Sequence, residues 1–241
     1  MNEITRSLKA RKSVRAFTEK EIPEEIKEEI LLCAVNAPTA GNQQLYTILD
    51  IRDSELLERL SVTCDNQPFI KKSKFTLIFL ADFRKWYDAF IDTGCNPRKP
   101  SEGDFLLAVD DALIAAQNAV SAAESFGIGS CYIGDIMEQY EIHREMLCLP
   151  EYVFPAAMIV FGYPEASQIR REKPERADMK YIVHKDRYHT LSADERTALF
   201  SGKAKEKSYE EWMRAFSERK YNSDFSREMS RSVGEYLRQY K

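Results

Sequence analysis

The chain has 241 residues, 44% of them hydrophobic, and a formal net charge of -4. That is enough apolar material for a sizeable core in one large or two small domains, and it excludes a disordered tail. The mild acidity argues against bulk electrostatic binding to nucleic acid or to an anionic membrane.

The N-terminal residues lack the apolar stretch of a secretory leader, and no run approaches the roughly 18 uninterrupted apolar residues of a spanning helix. Five cysteines lie scattered at 33, 64, 95, 131 and 148, with no CxxC pair. An odd, dispersed set suits reduced thiols, so a cytoplasmic location is expected.

Residues 2–10 read as a short helix with Ile4 and Leu8 one turn apart. A second helix is expected from Pro23, where Glu24 and Glu25 complement the positive end of the helix dipole, to about Asn36, ahead of Pro38. Leu45–Ile51 and Phe75–Ala81 read as strands, rich in β-branched and aromatic residues. Between them Ser54 is placed to cap a helix carrying Leu56, Leu57 and Leu60. Asp104–Phe126 is a helix with apolar residues on most faces, Leu106 and Leu113 among them, as expected of a helix buried mid-domain. Its polar residues, Asp110, Asp111, Gln117, Asn118 and Glu124, oppose a membrane reading, and Gly127 suits a left-handed C-cap. Cys131–Ile133 reads as a short strand, Asp135 as the cap of another helix, and Val153–Phe161 as a further strand. The stretch 165–190 is charged and irregular. The last fifty residues read as polar amphipathic helices, the final one carrying Phe225, Met229, Val233 and Leu237. Interspersed strands and helices imply a layered α/β arrangement with a helical C-terminal extension.

Four segments carry candidate chemistry. Arg11-Lys12-Ser13-Val14-Arg15 sets three cations and a hydroxyl within five residues. If extended, it points Arg11, Ser13 and Arg15 one way and Lys12 the other, and two guanidinium forks with a hydroxyl suit a terminal phosphate. Read alone, it is a solvated basic turn. The uncharged Ala37–Gln44 loop offers Pro38, Thr39, Ala40, Asn42 and Gln44, donors and acceptors beside a glycine that permits close approach of a flat ligand; read alone, it is an ordinary polar loop. Phe126–Gly134 holds a Gly-rich turn and Tyr132, Ile133 and Gly134, whose backbone can face a ligand. Lys173-Pro174-Glu175-Arg176 supplies further cations, or a solvated charged loop. Lys203, Lys205, Lys207 and Arg214 offer cations for a 2′-phosphate, or simply a solvated helix face. His143, His184 and His189 form no metal-binding pattern, so no metal is expected. No nucleophile elbow, P-loop or complete Rossmann fingerprint occurs.

Together these segments resemble the nitroreductase / flavin reductase family. Arg11–Phe17 is similar to its R-x-S-x-R-x-F/Y motif, Ala37–Gln44 to its A-P-S-A-G-N-x-Q loop with Thr39 in place of Ser, and Ala122–Ser130 to its A-A-E-x-x-G-L-G-S segment. The resemblance covers about residues 3–190, and Lys173–Arg176 resembles the Lys-Pro-Arg region of the larger NADPH-type branch, one residue longer between the cations. It implies an α+β, three-layer fold with a mixed, largely antiparallel sheet, comprising an FMN-binding core over 1–165 and a C-terminal extension over 166–241 packing on the partner of a homodimer. By the same resemblance Arg11, Ser13 and Arg15 serve the FMN phosphate and ribityl chain, with Lys12 beside them and a fourth cation from Lys173 or Arg176. Asn42 and Gln44 meet the ring or ribityl, Ile133 and Gly134 face the ring next to Tyr132, and Gln67 joins them as a polar neighbour. The implied activity is ping-pong hydride transfer from NAD(P)H through FMN to a small-molecule acceptor such as a nitroaromatic, quinone or flavin. No acid–base pair in the protein is then required, and no catalytic residue is expected. A flavin-binding regulatory or structural protein without turnover, or a family member with different flavin chemistry, is the alternative.

Overall fold

One long helix organises the larger part of the molecule. In a computed structural model, which describes residues 2–241, helices α1 (Glu3–Ala10) and α2 (Glu24–Val35) precede strand β1 (Tyr46–Asp50). Helix α3 (Ser54–Thr63), strand β2 (Phe75–Asp82) and helices α4 (Arg84–Asp92) and α5 (Glu102–Ser125) follow. Strand β3 (Gly129–Ile133), helix α6 (Tyr140–Met146) and strand β4 (Val153–Gly162) complete the sheet. Helices α7 (Ala166–Arg170), α8 (Ala193–Ser201), α9 (Tyr209–Lys220) and α10 (Asp224–Leu237) end the chain.

The chain divides into two units. One comprises the residues up to Glu172 together with Glu228–Lys241; the other is Lys173–Arg227. In the second unit α8 and α9 pack on each other, each opened by a capping box, Ser192 with Glu195 and Ser208 with Glu211.

The sheet of the first unit runs β1-β2-β4-β3, every adjacent pair antiparallel. The fold is therefore α+β, not the alternating α/β layering that the order of elements suggests. The parallel element of the expected mixed sheet shrinks to one isolated bridge, Ser13 to Ser130. Every residue of β2 and β4 is buried, as expected of central strands covered on both faces. Pro155 sits in β4 where the register with β2 shifts, between Phe79 and Leu80. A residue with no N–H to give the ladder is tolerated at such an irregularity.

Helix α5 starts with a capping box, Ser101 N–H donating to Asp104 Oδ2 at 2.8 Å. The Arg98 guanidinium beside Asp104 holds that carboxyl below its usual range. The small residues Ala108, Ala112, Ala115, Ala116, Ala119 and Ala123 are fully buried, and the helix packs closely on α2 and across all four strands. Burial is not all round, however: Leu106, Leu107, Leu113 and Ile114 stand 39–61% exposed on its outer face. By length and composition alone α5 would also pass for a membrane-crossing helix, but its inner face belongs to the core of this sheet.

Two local expectations are corrected. Asp53, not Ser54, caps α3, accepting from Glu55 and Leu56 N–H. Asp135 caps no α-helix; it lies inside the 3-10 turn Gly134–Met137, and α6 begins only after Gln139. The last residues return to the first unit, where Tyr236 and Tyr240 are 1% exposed and meet Tyr140, Phe154, Phe105 and Tyr152 edge to face at 4.5–5.3 Å.

Candidate functional site

The 11–17 segment runs extended along the free edge of β3. Val14 N–H donates to Ser130 O at 2.9 Å, and Thr18 N–H to Tyr163 O at 2.8 Å. Two glycines make this approach possible. A Cβ on Gly129 would lie 2.5 Å from Val14 Cγ2, and one on Gly162 would lie 2.6 Å from Phe17 Cδ1. Val14 and Phe17 are both buried; with Val14 turned onto β3, alternation over residues 11–15 turns Arg11, Ser13 and Arg15 to the other side, while Phe17 packs beyond this stretch on Gly162.

The structure brings those three together over β3. Arg11 Nη2 is 3.4 Å from Ser130 Oγ, and its guanidinium lies 5.9 Å from the centroid of the Tyr132 ring. Arg15, Ser13 and Arg11 all act on the Cys131 thiol beneath them: burial pushes it up, and these three neighbours pull against that shift. Arg11 Nε is enclosed and has no hydrogen-bond partner among the described residues. Lys12 points elsewhere, its ammonium donating to Ile169 O at 2.8 Å and to Arg171 O. The stitching is reciprocal, since Arg171 donates to Ser13 O and Arg15 N–H to Gln168 Oε1 at 3.2 Å.

The Pro38–Gln44 loop is anchored by a residue that sequence reasoning treated only as polar decoration, Asp111 of α5. Ala40 N–H and Leu45 N–H donate to its two carboxylate oxygens at 2.9 and 3.0 Å, and the Thr39 hydroxyl donates to it as well. The legible clue was a carboxylate among the alanines of an apolar helix. From the other side Trp86 Nε1 donates to Gln43 O at 2.7 Å, from α4, a helix that sequence patterning did not disclose. Gln44 spends its amide N–H on Val35 O at 3.0 Å, whereas the exposed Asn42 side chain has no hydrogen-bond partner among the described residues.

The end of β3 carries the third group. Ile133 is 2% exposed, and a Cβ on Gly134 would meet nothing nearer than Met137 Cε at 3.8 Å. Gln67 Nε2 donates to Asp135 Oδ2 at 2.7 Å and to Cys64 O at 2.9 Å, which ties the end of α3 to this turn. Burial pushes the Tyr132 hydroxyl up to about 12, and it donates to Gln117 Oε1 on α5 at 3.4 Å. Gln117 is six residues along α5 from Asp111, roughly 9 Å of axial rise. Strand β3 and helix α5 thus hold the Arg11–Arg15 wall, the 38–44 loop and the Gly134 turn on one framework. Lys173 and Arg176 lie in the second unit.

The polar groups so assembled are cationic forks and a hydroxyl at one end, neutral amides and backbone at the other, with no nucleophile–base pair among the site residues described above. That set suits a ligand with a terminal phosphate and a flat heteroaromatic ring.

Residues 8–163 match the family model described as the nitroreductase family. A Bacillus subtilis (strain 168) protein named FMN reductase [NAD(P)H] is 30% identical over 238 residues, 98% of this chain and 91% of its own length. A CR(VI) reductase of Pseudomonas sp. (strain G-1) is 32% identical over 188 residues, 78% of this chain and 76% of its own. Among solved structures, B. megaterium NfrA2 superposes with a TM-score of 0.85 at 26% identity, covering 98% of both chains. The NfrA1 nitroreductase from B. subtilis gives a TM-score of 0.82 at 25% identity, covering 94% of this chain and 98% of its own. With the family model matching residues 8–163 and a relative 30% identical over 98% of this chain, this chain belongs to the nitroreductase family.

Proposed function

We propose that the chain is an FMN-dependent NAD(P)H oxidoreductase working by ping-pong turnover. The observation that carries the reading is the convergence of Arg11, Ser13 and Arg15 on one face of β3, with Arg11 Nε enclosed and without a hydrogen-bond partner among the described residues. An orphan guanidinium N–H is costly to bury unless an acceptor completes it, and a phosphate oxygen is the acceptor this wall is chemically matched to. The family and the name of the Bacillus subtilis relative supply the cofactor's identity.

Within this reading Arg11, Ser13 and Arg15 hold the phosphate, Asn42 and the Thr39–Gln44 backbone meet the ribityl or ring edge, and Gln67, Ile133 and Gly134 border the ring. When bound, FMN supplies the hydride acceptance and electron transfer that no side chain of this site provides. The protein's part is to bind, orient and exclude water. The acceptor class is nitroaromatics, quinones or flavins, in keeping with relatives named as FMN and Cr(VI) reductases.

The working unit is a homodimer. Its support is the apolar surface left on α1 and α5, where Ile4 and Leu8 stand 71% and 52% exposed and Leu106, Leu107, Leu113 and Ile114 form an exposed stripe. A cytoplasmic location is supported by the five cysteines, all of them free.

The deciding experiment is an absorption spectrum of the purified protein followed by anaerobic mixing with NADPH and with NADH. A bound flavin that bleaches on mixing is expected. A flavin that stays oxidised with both donors indicates a binding protein without turnover, and absence of any flavin affinity overturns the proposal.

A further inference from the structure

Asp111 is 2% exposed, an ionisable group inside a helix whose other buried residues are mostly small and apolar. Burying a carboxylate costs several kcal/mol unless its oxygens are bonded, so its partners define what it is for. All three donors come from one loop: the Thr39 hydroxyl and Leu45 N–H to Oδ2, and Ala40 N–H to Oδ1. Thr39 Oγ1 in turn accepts from Gln44 N–H at 2.7 Å, extending the clamp across the loop. Between these anchors Gly41, Asn42 and Gln44 all adopt left-handed backbone, with φ of 56°, 57° and 50°. For Asn and Gln that conformation is strained and persists only where surrounding bonds impose it. Its product is the exposed side chain of Asn42, which has no hydrogen-bond partner among the described residues, beside Gln44, whose amide N–H is already spent on Val35 O.

We propose that Asp111 is a positioning residue that holds the 39–45 loop in its left-handed path so that the Asn42 amide is presented to the ring or ribityl portion of a bound flavin. This rests on the FMN reading above. It assigns Asp111 to the ring end of the site, separate from the phosphate wall of Arg11, Ser13 and Arg15. A flavin without phosphate should therefore feel the loss of Asp111 as strongly as FMN does.

The test is titration of flavin-free protein with FMN and with riboflavin. Wild-type protein that binds neither overturns the flavin reading itself. Asp111→Asn keeps the volume but loses one acceptor, and is expected to weaken FMN and riboflavin alike, about tenfold. Thr39→Val removes the hydroxyl's two bonds, the one it donates to Asp111 and the one it accepts from Gln44 N–H, with little change of shape. It is expected to act in the same direction, and it keeps the question open to test if Asp111→Asn does not fold. If Asp111 acts through Asn42, the Asp111→Asn/Asn42→Ala double variant binds no more weakly than Asn42→Ala alone, a coupling that general loosening would not produce. Unchanged affinity for both flavins in Asp111→Asn and Thr39→Val overturns the proposal, as does a loss confined to FMN or additive losses in the double variant.

Discussion

The basic wall turns on a division of labour between neighbouring side chains. Arg11, Ser13 and Arg15 share one face because the backbone between them is extended, and Lys12 is sent by the same geometry to the carbonyls of Ile169 and Arg171. Arg15→Ala therefore removes a fork from the proposed phosphate site, and Lys12→Ala does not. Loss of a charge-assisted bond of this kind is worth about 1.5–3 kcal/mol, so FMN should bind some ten- to a hundredfold more weakly to Arg15→Ala. Riboflavin affinity should be unchanged, and titration of the two flavins side by side measures the difference. A second residue sets a pH dependence. Glu138 is 5% exposed, one of its oxygens has no hydrogen-bond partner among the described residues, and burial together with Asp135, Asp65 and Glu228 pushes its carboxyl up to about 7. A carboxyl that ionises near 4.5 when unfolded and near 7 when folded favours folding while protonated. That contribution is fully present below about pH 4.5 and is lost as pH rises through about 7. The difference amounts to roughly 3 kcal/mol. Glu138→Gln should therefore flatten the dependence and leave the protein more stable than wild type at pH 8, as denaturant unfolding at pH 5 and pH 8 would show.

At the scale of elements, what was legible in the sequence is what repeats along it. The 3.6-residue apolar period located α2, α3 and α5 within a few residues, and β-branched runs located β1, β2 and β4. The short α4, with no such period, was not disclosed, and it turns out to brace the 38–44 loop through Trp86; α6 was expected as a helix capped by Asp135 but begins only after Gln139. The site's motifs were visible as residue types, but the groups that hold them were not. Asp111 and Ser130 bond to partners 66 to 119 residues away in sequence, and a pattern read along the chain carries no information about such pairings. Gly129 shows the same limit. Its place in a Gly-rich turn suggested backbone presented to a ligand, yet the space its missing Cβ leaves is filled by Val14. Gly129→Ala should thus act on packing between two elements. With a branched side chain 2.5 Å from the new methyl, the 11–17 segment must shift off β3, at about 1–3 kcal/mol of stability. Flavin affinity should fall with it. The compensating pair Val14→Ala/Gly129→Ala frees the space and should recover much of both, measured by thermal unfolding and flavin titration.

On the scale of the whole molecule, the outer face of α5 is the feature that the isolated chain does not explain. A helix that packs its alanines against α2 and the sheet has no internal use for Leu106, Leu107, Leu113 and Ile114, which recur at a seven-residue interval and stay 39–61% exposed. Helix α1, which buries none of its residues and shows Ile4 and Leu8 to solvent, adds to the same surplus of apolar surface. Apolar area left in water costs about 25 cal/mol per Å², so a stripe of this kind is stable in solution when a second copy covers it. The proposed homodimer supplies that cover. Introducing charge at the middle of the stripe, as in Leu106→Glu together with Leu113→Arg, places side chains where a twofold partner would have to desolvate them. Sedimentation or light scattering should then report a chain of single mass, against a doubled mass for wild type, while far-ultraviolet circular dichroism stays unchanged because no buried residue was touched. Flavin affinity measured on the same sample adds a further reading: a monomer that still binds FMN as wild type does would mean that one chain's wall, loop and turn suffice.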